Sequence, residues 1–137
     1  MKPTPFNPER DLATMPFSQG VRDKALQLKQ AGLPWMPHVG CFVWDADEHI
    51  RVSSPFPGRI YFILNLGHFL SRFQTIDGMI EKLVWLPTHH QARLLLEQYG
   101  MSNEYIHQSI EKDMNSADEL LVLYELLFET LSEKQDH

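Results

Sequence analysis

Apolar residues recur with helical spacing along most of the chain and alternate along only a few short stretches. Val21, Ala25 and Leu28 share one side of a segment that Ser18 can cap and Gly32 can stop, which predicts a helix running to about Ala31. After Thr75 or Asp77, residues Ile76, Met79, Ile80, Leu83 and Val84 follow the i, i+3, i+4, i+7, i+8 pattern, and Pro87 ends that helix. Thr88 and Gln91 then form the T-x-x-Q pair of a capping box, with Ala92, Leu95, Leu96 and Tyr99 inward and Gly100 as the stop. Ser102 can open a further segment with Ile106 and Ile110 inward. Ser116 and Glu119 make a second capping-box pair, ahead of a helix to about Glu133. Its apolar residues include Leu120, Leu123, Tyr124, Leu127, Phe128 and Leu131, an arc wider than one packing face needs.

Strand signals are sparser. In "HVGCFVWDADEHIRV", Val39, Phe42, Val43 and Trp44 favour a strand, the acids that follow favour a turn, and Ile50 and Val52 suggest a return strand. A lone hairpin over residues 39–52 is marginal in water and has to lean on helices. "GRIYFILNLGHFLSRF" is ambiguous. Ile60, Phe62, Leu64 and Leu66 alternate, which allows a strand followed by a short helix, but the long unbroken apolar run favours one helix over residues 58–73. Residues 1–17 hold four of the nine prolines and read as an extended arm packed on the body through Phe6, Leu12, Met15 and Phe17. "LPWMPH" reads as an extended connection in which Pro34 and Pro37 are structural and not a PxxP ligand. The expected architecture is mainly α: a bundle of about five helices with a small β-hairpin, in a single domain spanning 1–137.

Composition narrows the function classes. A chain of 137 residues typically buries roughly two-thirds of its unfolded surface, enough for a core without staples. A net charge of −6, with twelve scattered Lys and Arg, argues against nucleic acid or an anionic membrane as partner. No apolar leader precedes the body and no apolar run is long enough to span a bilayer, so a cytoplasmic protein is expected. Cys41 is the one cysteine, which leaves no internal disulfide and no cysteine-based zinc site.

Several chemical motifs fail on spacing. "DADEHIRVSSPF" begins like a calcium loop but has Ile50 where glycine is needed and Phe56 where the last glutamate belongs. Glu104 and His107 have the Glu-x-x-His spacing of di-iron bundles, yet no second copy exists. H-E-x-x-H, G-x-S-x-G, the P-loop and G-x-G-x-x-G are absent. Cys41 could pair with His38, but its neighbours supply no positive field to make a thiolate, so it reads as a buried small hydrophobe.

What remains is a polar stripe and a helix start. Read as one helix, residues 58–73 put Tyr61, Asn65, His68 and Arg72 within an arc of roughly 60° on an otherwise apolar cylinder. That stripe is either the solvent face of a core helix or the wall of a polar pocket. His89 and His90 follow the Thr88 cap, where the positive end of the dipole favours neutral imidazole and welcomes an anion. Five of the seven histidines lie between His38 and His90. The expected site brings His68 and one of His89 and His90 together beside Tyr61, Asn65 and Arg72, with Arg72 clamping a carboxylate or phosphate. Three functions follow. One is a non-catalytic module for a small anionic ligand at that site. Another is a homodimer or partner-binding protein using Leu120, Leu123, Tyr124, Leu127, Phe128 and Leu131 of the last helix. The third is a histidine-dependent enzyme, with or without a metal. The sequence implies no cofactor and fixes no metal ligand.

Overall fold

A computed structural model describes residues 15–54 and 56–135. Residues 1–14 of the arm expected over 1–17 therefore lie outside the described residues; at the arm's inner end, Phe17 is buried and meets the Phe42 ring at 5.1 Å. The elements in order are α1 (Gln19–Gln30), β1 (Phe42–Trp44), β2 (Ile60–Phe62), α2 (Leu66–Phe73), α3 (Ile76–Lys82), β3 (Val84–Leu86), α4 (His89–Gln98), α5 (Asn103–Ser109) and α6 (Ser116–Gln135). The mainly helical architecture with a small β part holds, and the β part is a three-stranded antiparallel sheet in the order β2-β1-β3.

Three sequence expectations are corrected by that sheet. The helix expected to run on through Val84 to Pro87 stops at Lys82, because Val84–Leu86 pair with β1 as β3. The hairpin over residues 39–52 does not form: β1 pairs with β2, placing Phe42 opposite Phe62 and Trp44 opposite Ile60, and with β3, placing Phe42 opposite Leu86. The single helix over residues 58–73 is instead a strand followed by a helix. Each strand is three residues long, too short to carry a periodicity of its own. The central strand β1 needs two partners, and the alternating Ile60, Tyr61 and Phe62 and the buried Val84 and Leu86 supply them.

The pleat divides the interior in two. Ile60, Val84 and Leu86, with Phe42 and Trp44 beside them, face a large core made with α1, α4, α5 and α6. Val43 and Tyr61 face the other way, into a smaller core with Cys41, Ile63, Phe73, Met79 and Leu83. Helices thus cover both faces, and Trp85 packs against both cores. Trp35 stacks on Trp85 with centroids 5.9 Å apart and Pro37 is buried, so "LPWMPH" is a structural connection.

Helix starts follow local chemistry closely. The side chains of Ser18, Thr75 and Ser102 accept from Val21, Gly78 and Tyr105 N–H, and Thr88 with Gln91 forms both bonds of the capping box. The last helix differs by one residue: Asn115, not Ser116, accepts from Asp118 N–H at 2.8 Å, and its amide reaches back to the Asp118 carboxylate. Between α2 and α3 the chain turns so tightly that a Cβ on Gly78 would sit 2.5 Å from the Phe73 carbonyl oxygen, so only glycine fits there without a backbone shift.

The wide apolar arc of α6 is taken up inside the chain. Leu120, Leu123, Tyr124 and Leu127 are fully buried and Leu131 nearly so, because α6 packs against both α1 and α4. Tyr124 donates to the Pro87 carbonyl at 2.6 Å, and burial pushes its phenol well up, so it remains a donor. Five of the six residues expected at an interface are thus buried within the chain itself. Of those six residues Phe128 alone is partly exposed, and Lys24 Nζ lies 4.3 Å from its ring.

Candidate functional site

The loop joining β1 to β2 is organised by one buried charge. Asp45 is 0% exposed and accepts from His49 N–H at 2.9 Å, Ile50 N–H at 2.7 Å and Arg59 Nη2 at 2.8 Å. Burial alone would push its carboxyl up; the two backbone donors and Arg59 outweigh that and hold it below the usual carboxylate range. Arg59 also donates to the carbonyls of Asp45 and Ile50. Its φ of 62° is left-handed, a conformation that costs a non-glycine residue roughly 1–2 kcal/mol, and these bonds hold it there. The outcome is a loop whose residues 49–53 run past the outer edge of β2. Tyr61 OH donates to the Val52 carbonyl at 2.6 Å, and Ser54 OH donates to the carbonyl of Ile60. The edge strand is shielded in this way.

From the other side, Arg72 of α2 reaches the same loop. Its Nε donates to the His49 carbonyl at 2.8 Å and Nη2 donates to the same oxygen. Between loop and helix lies a groove of about 590 Å³, lined by Arg51, Ser53, His68 and Arg72 among polar residues and by Ile50, Phe62, Phe69 and Phe73 among apolar ones. That volume is within the range of small-molecule sites. Tyr61 contributes its ring to the wall, and Ser71 OH is turned onto the His68 carbonyl.

Three of the four stripe residues, Tyr61, His68 and Arg72, therefore do line one cavity, although no single helix carries them. Asn65 does not; it caps α2, accepting from Gly67 N–H at 2.9 Å. His89 and His90 stand at the start of α4 and are not among the groove's lining residues. The His89 ring bonds the Ser116 carbonyl at 2.9 Å and so ties α4 to the start of α6, while His90 is exposed. The helix start is thus structural in its bonding, and His68 meets neither histidine there. Arg51, Ser53 and the three phenylalanines were missed as site residues. No local pattern marked them, because the loop that carries Arg51 and Ser53 is held by Asp45, Arg59 and Arg72 from separate places in the chain.

Cys41 is fully buried with its sulfur 3.3 Å from His38 Nδ1, and burial pushes the thiol up. His38 Nδ1 also lies 2.8 Å from the Met36 carbonyl, which claims its proton. Ellman's reagent is expected to label Cys41 only after denaturant is added; prompt labelling of the folded protein would contradict this burial. Among the described residues no three His, Cys, Asp or Glu side chains gather as a metal site, and no helix is long and apolar enough to cross a membrane. Fold and groove together define a helical domain built on both faces of a short antiparallel sheet, with a basic-rimmed groove beside an edge strand. The chain matches no protein-family model, no curated protein and no solved structure.

Proposed function

We propose that this domain is a non-catalytic module that binds a small organic anion in the groove between α2 and the loop of residues 49–53. One observation carries the reading. On a chain of net charge −6, the groove is lined by Arg51, Arg72 and His68 and by no acidic residue. Basic groups gathered against the overall balance focus a positive field on one cleft and raise the local concentration of anions. Arg72 is already held by its two bonds to the His49 carbonyl, which fix the guanidinium before a ligand arrives and leave Nη1 uncommitted among the described residues. The side chains of Arg51, Ser53 and His68 have no hydrogen-bond partner among the described residues, and an incoming anion would not have to displace one. Catalysis gains no comparable support, because the groove holds no nucleophile paired with a base.

Arg51 is the cleaner residue to test, since Arg72 also anchors the loop. Arg51→Ala is expected to leave the melting temperature of the free protein nearly unchanged and to weaken anion binding about tenfold, the typical loss of one charge-assisted hydrogen bond. Titration calorimetry of both proteins with a panel of carboxylates and phosphates measures it. Equal affinities for wild type and variant, or no binding by any member of the panel, would reject the groove as an anion site.

A further inference from the structure

We infer that the ligand of this groove is a carboxylate carried on an apolar ring or chain, with its charge at the rim and its body on the phenylalanines. The inference rests on the anion-binding reading above and sharpens it through an inventory of donors. Tyr61 spends its hydroxyl on the Val52 carbonyl, Ser71 spends its own on the His68 carbonyl, and Arg72 has two of its nitrogens on His49. The donors left to a ligand are Arg51, the remaining Arg72 nitrogen, His68 and the Ser53 hydroxyl, and all four residues are exposed.

Below them the surface is apolar. Ile50, Phe69, Phe73 and the ring of Tyr61 belong to the smaller core or pack on it, and Phe62 completes the wall. A sugar phosphate or a polyhydroxy acid would press its hydroxyls onto this floor without partners, an unfavourable desolvation. A bare phosphate or acetate would use the rim and leave the floor wet. An aryl or alkyl carboxylate satisfies both parts. The carboxylate would draw on the rim donors of the loop wall, Arg51, and of the helix wall, Arg72, while its body covers the aromatic side chains. His68 lies one helical turn before Arg72, on the same side of α2, and extends the rim along that wall.

The test is calorimetric titration of the full chain with 4-phenylbutanoate and octanoate, set against acetate, inorganic phosphate and the neutral 4-phenylbutan-1-ol. The two apolar carboxylates are expected to bind at least about tenfold more tightly than acetate, phosphate or the alcohol. Phe69→Ala, which trims the floor and keeps the rim, is expected to weaken phenylbutanoate and leave acetate unchanged, with circular dichroism confirming that the variant is folded. If acetate or phosphate matches phenylbutanoate, the apolar-body inference falls while the anion site stands. If the alcohol matches the acid, the groove is an apolar pocket and the anion reading falls with it. Absence of binding by every probe overturns both.

Discussion

Asp45→Ala is expected to lower unfolding free energy by about 3 kcal/mol, measured by urea denaturation at neutral pH. The carboxylate has no exposure, and its removal strands His49 N–H, Ile50 N–H and the Arg59 guanidinium around an empty acceptor position. Arg59 is partly exposed and can recover water; the two backbone donors are the larger part of the loss. Asp45→Asn is expected to recover little of it, because one amide oxygen must serve donors that converge on both carboxylate oxygens, and the amide nitrogen would face another donor. The pH dependence has a definite sign. The native carboxyl titrates below its ordinary value, so its contribution is complete above about pH 4 and is lost as the pH falls from there through the lower native value. Stability of the wild type should therefore drop on acidification in that window, and the corresponding limb should flatten in Asp45→Ala. An unchanged acid limb would show that this carboxyl is not the linked group. The same variant should loosen residues 49–53, so anion binding should weaken alongside stability.

Leu127→Glu is expected to prevent folding altogether, whereas Phe128→Glu should cost about 1 kcal/mol or less. Leu127 is fully buried between α6 and the rest of the large core, and an unpaired carboxylate there exceeds what a domain of this size can absorb. Phe128, one position on, faces Lys24 across 4.3 Å, so a glutamate there exchanges a cation–π contact for an ion pair at a partly exposed site. Far-ultraviolet circular dichroism and thermal melts separate the two variants. Sedimentation equilibrium adds the decisive comparison for self-association: the wild type and Phe128→Glu should have the same mass. A wild-type dimer that dissociates in Phe128→Glu would restore α6 as an interface, and a folded Leu127→Glu would contradict the packing described above.

The candidate site was only partly legible in the sequence, and the reason is geometric. Tyr61, His68 and Arg72 do share a groove, but Tyr61 reaches it from a strand, and Asn65 left the set when it became a cap. A stripe drawn on one continuous helix needs every residue to keep the same 100° step, and that step begins only at α2, after Tyr61 has been placed by β2. Arg51 could not be placed from its neighbours, because its position follows from Asp45, Arg59 and Arg72 closing the loop from three separate places in the chain. His89 and His90 looked like a binding start for the opposite reason. Their cap is local and visible, while the Ser116 carbonyl that engages His89 arrives from another helix.

What the sequence determined by itself is where four of the helices begin. Ser18, Thr75, Thr88 with Gln91, and Ser102 act through bonds that reach three residues along the chain, so their effect is complete before any tertiary contact forms. The tertiary structure alone decided three things: that residues 60–62 and 84–86 are strands, that the broad face of α6 is interior, and which basic side chains meet. Three-residue strands exist only through pairing with a distant partner, and a broad apolar helix is core or interface according to how many neighbours surround it. Both depend on contacts far apart in sequence, which no local pattern encodes.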